Sequence, residues 1–321
     1  MQNEFLKSGL CLGREVQSAL QEGLPIVALE SNVIAHGLPF PGNLETLVEM
    51  ENAIRDAGAA PATTAVRNGK ILVGLDEAEL QYFATTENLA KVSSRDLPLV
   101  LATGKPAVTT VAASLVAAEL AGIRFFASAG IGGVHRGAGT SFDISSDLIQ
   151  ISRSPVVAVT AGAKNILDLG LTLEFLETHC VPCVTYRFDD FPAFYVRSSG
   201  FRSPCRMDDL WDIAKAVALH EQVGRGGFIV AAPINPADAI DETLVENAIV
   251  EATAQADRAG ITGKDLTKFV MRAVNTATSG LSDAANAAVL VSNARLAAQL
   301  AVEHCALEVA HITKPSFRRT A

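Results

Sequence analysis

The chain has 321 residues, with 26 Lys and Arg against 35 Asp and Glu, for a formal net charge of −9. With 49% hydrophobic and 19% charged residues, it is excluded from the disordered and low-complexity classes, and a chain this long buries about 75% of its unfolded surface without covalent staples. The acidic balance argues against polymeric nucleic acid as a partner, because phosphate backbones are bound by clustered Lys and Arg; a small anion in a local pocket stays allowed.

In chain order, strand-like runs are expected at 25–29, 71–73, 124–128, 156–160 and 228–232. Helical patterns are expected at 44–57, 109–120, 208–220, 243–259, 266–276 and 283–306. The clearest carries Leu44, Leu47, Val48, Ile54 and Ala57 on one stripe, with Pro41-Gly42-Asn43 before it and Gly58 after it. Buried strands alternating with helices predict a three-layer α/β/α fold around a largely parallel or mixed sheet. No Pro- or Ser-rich linker divides the chain, so a single domain is expected. Its core spans about 10–305, and a loose, basic tail covers 306–321.

The opening MQNEFLKSGL has no basic start followed by an apolar stretch, and the uncharged run from Pro106 ends at Glu119, too short for a bilayer. Five cysteines, at 11, 180, 183, 205 and 305, suit a reducing compartment. The expectation is a cytoplasmic protein without a membrane partner.

Ligands in layered α/β folds sit at the carboxyl ends of strands, so polar residues there carry the functional question. Glu30 directly follows an apolar run in VALESN; partial desolvation would raise its pKa toward a general acid's, or it caps a turn. The segment SAGIGGVHRGAG, 128–139, offers backbone donors plus His135 and Arg136 for an anion, or its glycines merely satisfy backbone geometry. It fits no dinucleotide fingerprint, because His135 stands where the third glycine belongs, and no Gly-Lys pair is followed by Ser or Thr as in a P-loop.

In FDISSDL, Asp143, Ser145 and Asp147 alternate: one face if extended, the two Asp one turn apart if helical. Their oxygens suit Mg²⁺ or Mn²⁺, or form an ordinary capping cluster. Lys164, after the run 156–160, is expected to open a helix through Asn165, Ile166 and Leu167; desolvation and the helix N-terminus would then favour the neutral amine that Schiff-base chemistry needs. A charged, anion-binding lysine is the alternative. Cys180-Val181-Pro182-Cys183 reads as a buried thiol at a strand start, Phe191–Tyr195 as packing or a stacking surface, and His304 and His311 as structural.

Several strings together resemble the pseudouridine-5'-phosphate glycosidase family, also called indigoidine synthase A-like. They are VALESNVIAHGLPFPGN, PATTAV, KVSSRDLP, TTVAASL, GIGGVHRGAGTSFDISSDL, AGAKNILDLGLTLEFLET and SNARLA, in family order over roughly 10–301. The resemblance implies an enzyme of the carbon–oxygen lyase class with glycosidase activity. It would reversibly cleave the C–C bond of pseudouridine 5'-phosphate to give uracil and ribose 5-phosphate, assisted by Mn²⁺ (Mg²⁺ or another divalent cation as a substitute), in an α/β/α homotrimer. By motif it implies Lys164 as the covalent lysine, Glu30 as acid–base residue, His135 as an active-site histidine and Asp143 as metal ligand. Lys91, Val111, Ser128, Ser145, Ser146, Asp147 and Asn286 fall at substrate-binding positions. Asn32, Ser128 and Ala129 depart from the family's usual Thr, Thr and Gly, which touches pocket shape. A C-glycoside synthase joining ribose 5-phosphate to another aromatic, and a non-catalytic sugar-phosphate sensor, are the competing expectations.

Overall fold

The computed structural model describes residues 9–224, 226–261 and 264–313. In chain order the elements are β1 (Leu10–Leu12), α1 (Arg14–Glu22), β2 (Ile26–Glu30), a π-helical turn (Val33–Gly37), α2 (Gly42–Asp56), β3 (Ala60–Arg67), β4 (Lys70–Val73), α3 (Glu77–Thr85), β5 (Ala90–Val92), α4 (Leu97–Thr103), β6 (Ala107–Thr109), α5 (Val111–Ala121), β7 (Phe125–Ala127) and β8 (Val134–His135). They continue with α6 (Ala138–Ser141), α7 (Ser146–Arg153), β9 (Val157–Thr160), β10 (Leu167–Asp168), α8 (Leu169–Thr178), β11 (Cys183–Tyr186), β12 (Arg206–Met207), α9 (Leu210–Val223), β13 (Phe228–Ala231), α10 (Glu242–Ala259), α11 (Lys264–Ala277) and α12 (Leu281–Thr313).

The main sheet runs β1-β4-β3-β2-β7-β9-β13-β11-β12. From β3 to β12 every pair on this path is parallel, while β3 meets β4 antiparallel. Strands β2, β7, β9 and β13 are buried at every position, as continuous apolar runs between two helical layers should be. On one side α12 lies across β2, β7 and β9 and is flanked by α2 and α9; α5, with α7 beside it, packs on β2 and β7 from the other side. The expected layered, mixed-sheet fold is the one observed.

One topological detail positions the site. β2 pairs with β3 from Ala60 to Thr64 and stops at Glu30; antiparallel β6 then pairs with β3 at Ala65 and Val66. β4 occupies the other edge of β3 over Thr64–Arg67, so β6 takes the edge that β2 vacates. The carboxyl end of β6 therefore meets that of β2. Ser31 Oγ and Thr109 Oγ1 lie 3.2 Å apart, Thr109 N donates to Ser31 Oγ at 3.0 Å, and Thr64 Oγ1 joins Thr109 Oγ1 at 2.9 Å. β5, parallel to β6, carries Lys91 to the same level.

Several expectations need correction. Val48 is exposed, and Met50, Ala53 and Glu51 are buried with Leu47 and Ile54, because the helix turns a wider face to α12 than the proposed stripe. Asn43 does not cap α2; its Nδ2 donates to Ile34 O at 2.6 Å and Ala84 O at 3.2 Å, tying down the π-helical turn. No helix opens at Lys164: Leu167–Asp168 pair antiparallel with Val134–His135, and α8 begins at Leu169. The last helix continues to Thr313, past the expected end at Ala306, while the basic segment 314–321 lies outside the described residues, as does the side chain of His311. Cys183 is the buried thiol at the start of β11, pushed up to about 12 by burial, whereas Cys180 is exposed. Phe191, Phe194 and Tyr195 are buried packing, and His304 is buried edge-on to Phe125 with Nε2 3.6 Å from Glu221.

Candidate active site

Glu30 ends an entirely buried strand and is 8% exposed. Burial raises its carboxyl above the usual range; Lys164 and the Ser128 hydrogen bond pull it back, and Asp147 pushes it further up. Ser128, just past β7, donates through Oγ to Glu30 Oε1. Its backbone is fixed twice: Ser128 N donates to Val159 O at 3.1 Å, and Asn293 Nδ2 of α12 donates to Ser128 O at 2.8 Å.

Lys164 follows β9 in a turn, half-buried, and its Nζ donates to Gly130 O at 3.1 Å. With the helix N-terminus gone, what places this amine is the strand-end turn. Gly162, at φ 75°, lies so close to Pro192 O that no side chain fits there. Lys91, at the centre of β5, has solvent-accessible surface and feels the charge of Lys164. Desolvation, then the like charge of Lys164, lowers it below the ordinary lysine range, against the opposite pull of Glu30 and Asp147.

The glycine-rich loop serves packing more than anion binding. Gly132 N donates to Asp147 Oδ2 at 2.9 Å, and a Cβ on Gly132 would overlap the Ser145 side chain. Asp147 is buried with its other oxygen accepting from Ala112 N at 3.0 Å, so its carboxylate pins the loop to the start of α5. Ser145 caps α7 by accepting from Asp147 N at 3.2 Å, and Ser146 Oγ lies 2.5 Å from Ser93 Oγ. The Asp143–Asp147 spacing is thus neither an extended face nor a helical turn, since the helix begins between them.

Asp143 instead faces His135: Oδ2 is 3.9 Å from Nδ1, and His135 N donates to Asp143 O at 3.0 Å. Burial lowers His135, favouring neutral imidazole, with Asp143 opposing and Lys164 assisting. Among the described residues no three His, Cys, Asp or Glu cluster to hold a metal. A single, one-third-exposed carboxylate fits only a hard divalent cation that keeps most of its waters.

Val111 is buried at the first turn of α5, where its N–H has no intrahelical acceptor. Asn286 is buried on α12 beside Gly37, and its Oδ1 has no partner among the described residues. Buried polar atoms without a partner among the described residues gather around these strand ends: Asn32 Oδ1, Thr110 Oγ1, Thr160 Oγ1 and both amide atoms of Asn165. Orphaned buried atoms are rare enough that several near one set of strand ends mark a place for polar ligands or water.

The structure therefore brings together Glu30, Ser128, Lys164, Lys91, Val111, His135 and Asp143, with Asp147, Ser145 and Ser146 as their support. The sequence reading assigned no role to Asn293, although SNARLA contains it, because a single amide on an apolar helix carries no local signal. Lys268 on α11, whose charge reaches both Lys91 and His36, was missed for a like reason: a surface lysine on an amphipathic helix looks ordinary.

The family model "Indigoidine synthase A like protein" matches residues 15–303. The chain is 56% identical over 294 residues to a pseudouridine-5'-phosphate glycosidase of Serratia proteamaculans, covering 91% of this chain and 96% of that one. It is 54% identical over 302 residues to the protein of the same name in Dickeya dadantii, covering 94% and 96%. Among solved structures, the prealnumycin C-glycosynthase AlnA in complex with ribulose 5-phosphate superposes with a TM-score of 0.88 at 42% identity, over 94% of this chain and 98% of that one.

Proposed function

We propose that this chain, which belongs to the indigoidine synthase A-like family, is a glycosidase that breaks the carbon–carbon bond between uracil and ribose 5-phosphate in pseudouridine 5'-phosphate. The observation that carries this reading is a buried carboxyl, raised by desolvation and feeling the charge of the Lys164 amine, the two standing at the carboxyl ends of β2 and β9 on either side of β7. An N-nucleoside can be cleaved by protonating the departing base nitrogen; a C-nucleoside has none, so the sugar carbon itself must be activated.

Lys164 supplies that activation. Its amine attacks the anomeric carbon while the bond from that carbon to the ring oxygen breaks, and the oxygen leaves as a hydroxyl after taking a proton. Glu30, whose carboxyl burial raises above the usual range, delivers a proton to uracil C5. The nitrogen lone pair then forms C=N as the C–C pair flows into the uracil ring, releasing neutral uracil. Water adds to the iminium and expels the lysine amine, leaving ribose 5-phosphate and returning Glu30 its proton. Lys91 sets a positive charge beside the groove for the phosphate, and the Val111 N–H offers a fixed donor. Asp143 would hold the Mn²⁺ ion, with His135 alongside; a divalent cation there supplies Lewis-acid polarisation and a template for ordered waters. Ser145, Ser146 and Asp147 shape the groove wall, and Asn286 lends an amide from α12.

Homotrimeric assembly, a cytoplasmic location and the lyase classification belong to the same proposal. Exposed apolar side chains such as Phe142, Leu99 and Val223 are candidates for subunit contacts. No described helix is long and apolar enough to cross a membrane. The test is uracil release from pseudouridine 5'-phosphate with Mn²⁺ and EDTA arms, together with borohydride trapping of ribose 5-phosphate. Release, and an adduct lost in Lys164→Ala, are expected; neither appearing overturns the assignment. The likeness to a C-glycosynthase favours one second reading, synthesis onto another aromatic acceptor, which product analysis separates.

A further inference from the structure

We propose that the chain carries a second anion-binding pocket, apart from the lysine centre, that takes a small phosphate ester or pyrophosphate. A cavity of about 350 Å³ opens where β11 and β13 end, against α12. Arg187, Arg197 and Arg295 line it, and no carboxylate does. Among the described residues none of these three guanidinium groups forms an ion pair. A guanidinium does not lose its proton, so the pocket holds three positive charges at any physiological pH, in a chain whose net charge is −9.

The placement is built by the fold. Parallel β11 and β13 deliver Tyr186-Arg187 and Ala232-Pro233 to one level, the same end of the sheet at which β2 and β9 present Glu30 and Lys164. Ser292, Arg295 and Gln299, spaced three and four residues apart on α12, form one stripe facing them. Arg197 is held from below, its Nη1 donating to Ile234 O and its guanidinium 5.1 Å from the Phe188 ring. Arg187 is steered by donating Nε to Asp208 O at 2.9 Å. Each of these arginines keeps further N–H donors for a ligand.

A second cavity, of about 390 Å³, sharpens the contrast. There Arg136 is held by Glu246 at 2.7 Å, with Asp168 and Glu242 in the same wall, so its charge is neutralised. Three mutually repelling cations left unpaired in one concavity fit an anion of two or more charges, and guanidinium forks match phosphate oxygens in pairs. The pocket adjoins the catalytic machinery through α12, since Asn293, beside Ser292, holds Ser128.

Calorimetric titration with pyrophosphate tests the proposal, on full-length protein whose lysine centre has been blocked by borohydride trapping of ribose 5-phosphate and from which all free sugar phosphate has been removed. Pyrophosphate should still bind one site per chain. The Arg187→Gln/Arg295→Gln variant, altered at two exposed side chains, should weaken that binding about tenfold or more while uracil release stays at the wild-type rate. Arg295→Lys should recover part of the affinity. Unchanged pyrophosphate binding in the double variant overturns the proposal. So does absence of pyrophosphate binding to the blocked, sugar-phosphate-free protein, or a changed oligomeric state as the only consequence of the substitutions.

Discussion

Asn293→Ala is the most discriminating perturbation, because Asn293 touches no proposed reacting group and yet fixes one that does. The residue is 2% exposed, and its amide donates at 2.8 Å to the carbonyl of Ser128, whose hydroxyl in turn donates to Glu30. Truncation leaves that carbonyl without its side-chain donor, in a place water reaches poorly. An unsatisfied buried acceptor costs about 1–3 kcal/mol, and the small cavity left behind adds to it. In a chain of this size that should lower the melting temperature by several degrees, at roughly 2–4 °C per kcal/mol. Ser128 would then be held only through Val159, and its hydroxyl would lose its fixed direction toward Glu30. Uracil release measured against substrate concentration should show kcat falling with KM little changed, and the alkaline limb of the pH profile should move upward, since the Ser128 bond is one of the influences lowering Glu30. A folded Asn293→Ala protein with wild-type kcat and an unmoved limb would refute this chain of support.

Three further outcomes follow from the same geometry. Burial raises Glu30, so the folded state holds its proton more tightly than the unfolded one, and stability should fall as pH climbs from the ordinary carboxylate range through the raised value. Glu30→Gln should lack that fall in melting temperature, and parallel curves for the two proteins would contradict it. Gly132→Ala forces a methyl against Ser145 and the Asp147 carboxylate, which should cost about 1–3 kcal/mol in denaturant titration and abolish uracil release. Asp143→Asn should weaken Mn²⁺ binding, read by electron paramagnetic resonance, by roughly tenfold or more, with little change in melting temperature because Asp143 is partly exposed.

Much of the fold could be read in the chain itself, because strands buried on both faces leave unbroken apolar runs such as Ile26–Leu29 and Val157–Val159. The short strands β5 and β6 left no such trace; three residues are too few for a period, and their place depends on β2 ending early. The burial of Glu30 and the rise of its carboxyl are as anticipated because they follow from the strand that it ends. Asp147 and Gly132 do not, because their mutual hydrogen bond joins residues whose facing depends on tertiary packing. The helix expected at Lys164 failed for a similar reason. Asn165–Leu167 has helical composition, but Leu167 finds His135 across the loop, and the ribbon wins over local propensity.

The tie from α12 to Ser128 also has a kinetic meaning. Glu30 and Ser128 lie 98 residues apart, and Ser128 and Asn293 a further 165. On the ribosome, then, β2, β7 and β9 can pair long before the helix that steadies their ends has been made. At about 5–20 residues per second that interval lasts many seconds, during which the faces of β2, β7 and β9 that α12 covers lie bare and open to wrong partners. Competence for chemistry thus waits for α12, and a chain cut short before that helix would have the sheet order without a settled acid.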